Sequence, residues 1–366
     1  MNKLRLLLLA LPFLFASCSN DDDNKPSLKI TGHYVLNYGS YSATVGSLSY
    51  IDLENNTVQN GAYESANGVS MSGKPQYAYE YKGNIYFMGN AKDEIFHVSA
   101  DDLTQTQNGV AEDIIKPRFC VGNGDYLYIS CWGGDIWAPE NREKSYIAKY
   151  NINTNTVEKK IMLPDGPEGL AIVDNTLYCT LNYTNKIAMV NLNTEKITYI
   201  EDLPAVSTYF IKDNSNNLYV SLVSSYTDGV IELIKEPGLG YINTSTNELE
   251  ANYKFEGISG LYSSVLAFNT DKSKLYVVGG SYGANGYSGG IYSFNTNSKT
   301  FDETPFVDNI SGINGVYYNI TSNLIYVMIS QSTTTNGLLK TYDTEGNIIE
   351  EYATGISPGW IVDVTK

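Results

Sequence analysis

The most regular feature of the chain is a short apolar segment with a tyrosine near its start, which recurs seven times. In each copy a polar turn precedes an aliphatic or related residue, the tyrosine and further apolar residues, as in Leu218-Tyr219-Val220. The seven tyrosines are Tyr34, Tyr86, Tyr128, Tyr178, Tyr219, Tyr276 and Tyr326. Their spacings of 52, 42, 50, 41, 57 and 50 residues centre near the ~40–50-residue period of β-propeller blades.

Two further markers accompany each tyrosine. A short strand pattern after it ends in Asn, Asp or Ser before a polar turn, and Asn and Asp favour turns because their side chains bond to nearby backbone groups. These positions are Asp52, Ser99, Asn151, Asn191, Asn243, Asn295 and Asp343. Another strand pattern precedes the tyrosine in the six later copies and occurs once more at the C-terminus. These patterns begin near Gln76, Arg118, Gly169, Tyr209, Val265, Gly315 and Trp360. Each copy therefore predicts an inner strand followed by three more.

These repeats predict an all-β, seven-bladed β-propeller. The first tyrosine copy lacks a preceding inner strand, and the last strand pattern, Trp360 to Val364, has nothing after it. We expect the C-terminal strand to pair with the N-terminal blade, which closes the ring and leaves no long strand edge open. Two stacked β-sandwiches would not repeat sevenfold, and the coils of a β-helix are shorter.

The N-terminus has the features of a lipoprotein signal. Lys3 and Arg5 precede an apolar run, and the small pair Ala16-Ser17 precedes Cys18. That run is too short for the ~20 residues of a membrane-spanning helix, so it predicts a secretion signal over residues 1–17 and lipidation of Cys18. Residues 18–29 are polar and rich in Asp and predict a solvated tether, which leaves residues 30–366 for the propeller. We expect the protein to be anchored through lipid alone.

Composition excludes several function classes. The chain has 24 Lys and Arg against 40 Asp and Glu, a formal net charge of −16, and a nucleic-acid partner is not expected because phosphate contacts need clustered cations. Cys120, Cys131 and Cys179 lie in apolar strand patterns. Folding the hairpin at residues 122–125 places Cys120 opposite Leu127 or Tyr128, out of register for a disulfide. No cysteine spacing typical of a metal site is present.

Catalytic signatures are weak, so we expect a binding protein without cofactor or metal rather than an enzyme. Residues 355–359 spell Gly-Ile-Ser-Pro-Gly, but the serine nucleophile of that motif needs the N–H of the following residue, and Pro358 has none. His33 and His97 lie in strand patterns. Carboxylates on the loop face, including Asp135 and Glu140, leave a calcium or lactonase-like metal site open as an alternative.

The predicted blades separate a plain face from an aromatic one. With strands A to D numbered from inside to outside, the A–B and C–D turns are short and polar, and we interpret them as plain connectors. The B–C loops and D–A connections share the other face, and the glycine-rich residues 279–289 are predicted to form a flexible B–C loop. The candidate ligand-binding residues on this face are Tyr38, Tyr41, Gln76, Tyr77, Arg118, Phe119, Trp132, Trp137, Glu168, Tyr183, Tyr226, Tyr262, Tyr282, Asn314 and Trp360.

The repeated segments resemble those of YncE-like propellers. The similarity covers residues 30–366 and rests on Leu218-Tyr219-Val220, Leu275-Tyr276-Val277 and Ile325-Tyr326-Val327. Together with the Asp-rich lipoprotein start, the chain resembles the BtuG-type surface lipoproteins of Bacteroidetes. This resemblance implies an outer-membrane protein that faces the cell exterior, captures a cobamide and passes it to a TonB-dependent transporter.

Cobamide capture is accordingly the leading functional hypothesis. The aromatic packing surfaces would be Trp132, Trp137, Tyr183, Tyr226, Tyr282 and Trp360, and the polar contacts Gln76, Arg118, Glu168 and Asn314. A glycan-binding or adhesive surface protein would use the same aromatic platforms and amide groups equally well. A scaffold that binds a protein partner is the third alternative.

Overall fold

The computed structural model describes residues 29–40, 42–224, 229–283 and 286–365. The predicted signal (1–17), Cys18, nearly all of the tether (18–29), Tyr41 and Tyr226 lie outside the described residues. Within them, no helix is long and apolar enough to cross a membrane.

The secondary structure consists almost entirely of short strands. The first ten are β1 (Ile30–Asn37), β2 (Ser47–Asp52), β3 (Thr57–Asn60), β4 (Ala78–Tyr81), β5 (Asn84–Gly89), β6 (Glu94–Ser99), β7 (Pro117–Asn123), β8 (Tyr126–Cys131), β9 (Tyr146–Asn151) and β10 (Thr156–Met162). The next eight are β11 (Pro167–Val173), β12 (Thr176–Leu181), β13 (Ile187–Asn191), β14 (Ile197–Ile200), β15 (Ser207–Lys212), β16 (Leu218–Leu222), β17 (Gly238–Asn243) and β18 (Glu248–Lys254). The last ten are β19 (Leu266–Phe268), β20 (Lys274–Gly283), β21 (Gly286–Asn295), β22 (Thr300–Phe301), β23 (Val307–Ser311), β24 (Ile313–Asn319), β25 (Leu324–Ile329), β26 (Leu338–Tyr342), β27 (Ile348–Ala353) and β28 (Pro358–Thr365). One short helix, α1 (Ala62–Asn67), follows β3, and two 3₁₀ segments span Pro139–Lys144 and Ile231–Leu233.

These strands form seven separate antiparallel sheets, one for each predicted repeat. In chain order the sheets are β28-β1-β2-β3, β4-β5-β6, β7-β8-β9-β10, β11-β12-β13-β14, β15-β16-β17-β18, β19-β20-β21-β22 and β24-β25-β26-β27. The chain is a seven-bladed β-propeller. Blade 1 takes its inner strand from the C-terminus: β28 pairs with β1, with Trp360 opposite Leu36 and Val362 opposite Tyr34. The predicted closure is confirmed.

The side chains that carry the repeat perform the structural roles expected from the sequence. All seven marker tyrosines are buried, because each second strand is covered by the neighbouring blades. At the C–D turns, the side chain of the marker residue accepts backbone hydrogen bonds. Asp52 Oδ1, for example, accepts from the N–H groups of Glu54 (2.9 Å) and Asn55 (3.0 Å). Asn151, Asn191, Asn243, Asn295 and Asp343 accept equivalent bonds.

The glycine-rich residues 279–283 and 286–289 belong to a strand pair, so the prediction of a flexible loop was wrong for these residues. β20 and β21 continue through them, with Gly279 opposite Gly290 and Gly280 opposite Gly289. The two backbones approach so closely that a Cβ atom added to Gly289 would lie 1.9 Å from the carbonyl oxygen of Gly279. Glycine here permits close pairing, and β21 also pairs with β23 on its other edge.

Two smaller details also differ from the predictions. Blade 2 has three strands, because the segment after Ser99 returns to β6 only through a single bridge between Ile95 and Val110. Cys120 lies opposite Ile129 rather than Leu127 or Tyr128, because the β7–β8 hairpin turns within two residues. Cys120, Cys131 and Cys179 are buried free thiols.

We predict that deleting residues 358–366 prevents cooperative folding. The deletion exposes the inner edge of β1 and removes Trp360, Val362 and Val364, each less than 10% exposed. Burial of such side chains contributes about 1.5–3 kcal/mol each, and the sum is comparable to the ~5–15 kcal/mol stability of a typical domain. Thermal melting followed by circular dichroism, with residues 19–366 as reference, measures the effect. A cooperative transition within a few degrees of the reference would contradict the assigned role of β28.

Candidate functional site

The inner strands of the blades surround a central channel, and a cluster of four aromatic rings divides it. We call Tyr77, Phe119, Tyr209 and Trp360 the aromatic plug. The ring centroid of Trp360 lies 4.7 Å from that of Tyr77, 5.6 Å from that of Phe119 and 5.5 Å from that of Tyr209. Cavities lie on both sides of this plug, and Trp360 lines both of them.

The first cavity, which we call the upper cavity, opens at the face of the B–C loops and D–A connections. Its volume of about 550 Å³ falls within the ~300–1,000 Å³ range of small-molecule pockets. It is lined by Leu36, Tyr38, Pro75, Gln76, Asn90, Arg118, Trp132, Trp137, Leu261, Tyr262, Ser263, Asn314, Ser357, Gly359 and Trp360. All three tryptophans of the chain therefore border this cavity.

Arg118 is the one charged residue in this lining, and two aromatic rings hold it in place. Its Cζ atom lies 3.9 Å from the ring centroid of Trp132 and 4.5 Å from that of Tyr262. A guanidinium stacked between two rings gains cation–π attraction, which is strongest where water is excluded. Because Arg118 is only 3% exposed, the orientation of its guanidinium plane is fixed before any ligand binds.

Glu168 neutralises this arginine from behind the cavity wall. Arg118 donates from Nε to both carboxylate oxygens of Glu168 (2.9 and 3.0 Å) and from a terminal nitrogen to Oε1 (2.7 Å). Arg118 also donates to Gln76 Oε1, and Asn182 donates to Glu168 Oε2 at 3.2 Å. Burial raises the pKa of Glu168, while the adjacent guanidinium opposes that rise. The pair is thus a buried, hydrogen-bonded ion pair rather than an exposed charge.

Three amide side chains give the cavity wall its polar character. Asn90 donates to the carbonyl of Pro117 at 3.3 Å and Asn314 donates to that of Pro358 at 2.6 Å, so each uses its nitrogen. Gln76 instead uses its oxygen, as acceptor from Arg118. Among the described residues, no partner binds the side-chain oxygens of Asn90 and Asn314 or the nitrogen of Gln76. The wall can therefore offer a ligand both hydrogen-bond acceptors and a donor.

The structure brings about half of the sequence-predicted residues together in the upper cavity. Those lining it are Tyr38, Gln76, Arg118, Trp132, Trp137, Tyr262, Asn314 and Trp360. Tyr77 and Phe119 lie deeper, in the plug, so neither reaches the loop face. The remaining described residues lie elsewhere, and the physical reason differs for each.

Glu168 was predicted as a polar ligand contact, but it is fully buried and faces Arg118. Tyr183 was predicted to present a packing surface, but it is 5% exposed and packs with Trp132 under the loops. The guanidinium of Arg142 lies 4.1 Å from the centroid of its ring. Tyr282 is 76% exposed near the end of the paired strands β20 and β21 and lines neither cavity.

Sequence reasoning missed several residues of the upper cavity. Asn90, Leu261, Ser263 and Ser357 line it, and each lies in a B–C loop or D–A connection. Their position next to predicted residues was the available signal, but they are small or aliphatic and did not stand out beside the aromatics. Ser357 has a left-handed backbone (φ 57°) and its hydroxyl bonds to that of Ser330 at 2.9 Å.

The second cavity, which we call the lower cavity, opens at the face of the A–B and C–D turns. It has a volume of about 830 Å³, so the interpretation of this face as plain connectors was incomplete. The turns are indeed short, but the cavity is bordered mainly by inner-strand side chains. These include Tyr77, Tyr79, Tyr209, Ile211, Leu266, Phe268, Tyr317, Trp360, Val362 and Asp363.

The titratable groups do not form a metal centre in the part of the chain that the structure describes. There, no three His, Cys, Asp or Glu side chains come together in a way that could hold a metal ion. His33 is fully buried, with Nδ1 at 3.0 Å from Asp363 Oδ1 and Nε2 at 3.1 Å from Asn319 Nδ2. Burial lowers the pKa of His97, which is half-buried.

The fold is shared with solved structures of diverse proteins. A quinonprotein alcohol dehydrogenase-like protein from Bacteroides thetaiotaomicron is 15% identical and matches 92% of this chain and 79% of its own, with a TM-score of 0.66. A streptogramin B lyase is 15% identical over 88% of this chain and 96% of its own (TM-score 0.57). Hydrazine synthase from Kuenenia stuttgartiensis is 13% identical over 78% of this chain and 88% of its own (TM-score 0.63). These likenesses establish the fold alone. No protein-family description and no curated protein matches the sequence.

We predict that Glu168→Gln lowers the free energy of unfolding by about 3–5 kcal/mol, because it leaves a buried guanidinium facing a neutral amide. Urea denaturation measures this change. Lys186→Ala, which breaks an exposed ion pair with Glu201, is the matched control and should cost at most ~1 kcal/mol. Equal effects of the two substitutions would show that the buried pair does not organise the site.

Proposed function

We propose that this protein is a binding protein that captures a bulky small molecule, a cobamide, at the upper cavity. The observation that carries the proposal is the combination of a preformed aromatic-lined cavity with one neutralised arginine and three amide groups. Such a wall suits a ligand with a large apolar surface and many neutral polar groups. A cobamide, with its corrin ring surrounded by amide side chains, has this chemistry.

The size of the upper cavity defines how such a ligand would bind. A corrinoid is too large to enter a cavity of about 550 Å³ completely. One part would fill the cavity against Trp132 and Trp360, while the ring would cover the mouth. Trp137 is 55% exposed and Tyr38 is 36% exposed, so both offer open apolar surface at that mouth. Each such ring can bury ~150–250 Å².

The aromatic plug favours capture and release over passage through the ring. Because Tyr77, Phe119, Tyr209 and Trp360 separate the two cavities, a ligand bound at the upper cavity would leave by the same face. This arrangement suits a protein that presents its ligand to a partner docked on the loop face. The TonB-dependent transporter, the Cys18 lipid anchor and the outer-surface location implied by the resemblance are part of this proposal.

A glycan-binding or adhesive function is the second candidate, and one observation favours it specifically. The side chain of Trp137 is 55% exposed and lines the same cavity as the amides of Asn90 and Asn314, and an exposed ring beside amide groups also suits a sugar.

The direct test uses residues 19–366 mixed with excess cobalamin and separated on a sizing column. Elution of about one equivalent of the coloured corrinoid with the protein would support cobamide capture. Elution of all corrinoid at the small-molecule volume would reject it. A glycan array probed with the same protein tests the second candidate, since sugar-selective binding without corrinoid retention would favour that function.

We predict that Trp137→Ala weakens cobalamin binding about 30-fold without changing the melting temperature. Loss of one central aromatic contact typically costs ~2 kcal/mol or more, which equals about 30-fold in Kd, and the exposed Trp137 contributes little to the core. Titration calorimetry measures the affinity. Tyr199→Ala, at a 39% exposed ring on the outer strand β14, is the control and should bind normally. Unchanged affinity of the Trp137 variant would remove this residue from the site.

A further inference from the structure

Two tyrosine hydroxyls at the base of the lower cavity have no hydrogen-bond partner among the described residues. Tyr77 and Tyr209 both line this cavity and neither lines the upper one. Burial raises the pKa of both, to about 12 for Tyr209, and the nearby phenol of Tyr209 raises that of Tyr77 further. They therefore stay protonated at neutral pH and can donate or accept hydrogen bonds at the closed end of the cavity.

A carboxylate stands on the wall of the same cavity with one oxygen unused. Asp363 Oδ1 accepts from the hydroxyl of Tyr317 (2.5 Å) and from Nδ1 of His33 (3.0 Å). No group in the described residues bonds to Oδ2, and the side chain is one-third exposed, toward the cavity that it lines.

The charge of Asp363 is not compensated by a neighbouring cation. Asn319 Nδ2 donates to Nε2 of His33, so Nε2 acts as an acceptor and Nδ1 donates to Asp363. Burial and the adjacent carboxylate raise the pKa of Tyr317, which keeps this phenol neutral. In the described residues no Lys or Arg forms an ion pair with Asp363.

The remaining charges of the lower cavity lie at its rim. Glu80 and Asp101 line one part of the opening, and Lys212 and Lys272 line another. Lys272 Nζ donates to the carbonyl oxygen of Lys212 at 2.8 Å and lies 5.7 Å from the ring centroid of Phe268. With Asp363, three carboxylates face two ammonium groups, so the lining carries an excess of one negative charge, and Asp363 is the carboxylate on the wall away from the rim.

We propose that the lower cavity is a second binding site, for a small organic cation of the substituted-ammonium class. The positive group would lie against Asp363 Oδ2 and the rings of Tyr77, Tyr209 and Trp360, since aromatic faces attract cations most strongly where water is excluded. The hydroxyls of Tyr77 and Tyr209 would bond to a polar group on the ligand. The aromatic plug separates this site from the upper cavity, with Trp360 as a wall that both share, so the two sites can be occupied at the same time.

The test compares choline with its neutral analogue 3,3-dimethylbutan-1-ol, which has the same shape without the charge. Titration calorimetry on residues 19–366 should give saturable choline binding at one site per chain, with the neutral analogue at least tenfold weaker. Higher ionic strength should weaken choline binding. No saturation with choline, or equal affinity for the two probes, would overturn the proposal. Preferential binding of a neutral sugar such as glucose would overturn it in favour of a polyol site.

Variants then locate the bound cation. Asp363→Asn should weaken choline binding at least tenfold, and Tyr209→Phe, which keeps the ring and removes only the hydroxyl, should weaken it several-fold. If circular dichroism shows that the Asp363→Asn variant does not fold, the Tyr209→Phe variant still tests the site. Trp137 lines the upper cavity and not the lower one, so the Trp137→Ala variant should bind choline normally. Undiminished binding by both lower-cavity variants, or loss of binding in Trp137→Ala, would contradict this site.

Discussion

The pairing of the C-terminal strand with the first strand is the constraint on which the rest of the molecule depends. β28 supplies the inner strand of blade 1 and closes the ring through its ladder with β1. The same strand carries Trp360 into the centre of the channel, where it contacts Tyr77, Phe119 and Tyr209. The strand β28 therefore both closes the ring of blades and supplies a residue of the aromatic plug that divides the channel. Without it, neither cavity would have a floor.

The two cavities created in this way differ in their electrostatics. The upper cavity contains one cation, Arg118, whose charge is neutralised by Glu168 behind the wall. The lower cavity contains Asp363, which lacks such a counter-charge. A neutral ligand rich in amides and apolar surface suits the first site, whereas a small cation suits the second. Because the plug lies between them, one propeller can serve both without competition.

The fold was predictable because its signals repeat. Seven buried tyrosines and seven side-chain-capped turns give the blade count, and the unpaired patterns at the two ends of the chain predict closure. A signal that occurs once is weaker. The glycines of β20 and β21 resemble a flexible loop in sequence, because only the three-dimensional approach of Gly279 and Gly289 reveals why glycine is needed there.

The site was predictable only in part, for a related reason. Sequence position assigns a residue to the loop face, but it does not determine whether the side chain is exposed at the upper cavity, as that of Trp137 is, or packs beneath a loop, as that of Tyr183 does. Arg118 and Glu168 lie 50 residues apart in the sequence, on neighbouring blades. No local sequence pattern therefore predicts their ion pair. The lower cavity was not predicted because most of its lining comes from short stretches of inner strands on several blades, and in sequence these stretches resemble ordinary core strands.

The most direct measurement of the central claim is a crystal structure of residues 19–366 grown with cobalamin. We predict corrinoid density over the mouth of the upper cavity, in contact with Trp137 and next to the amides of Asn90 and Asn314, with the aromatic plug unchanged beneath it. Corrinoid density in the lower cavity or on the outer strands would contradict the assignment of the loop face as the ligand site.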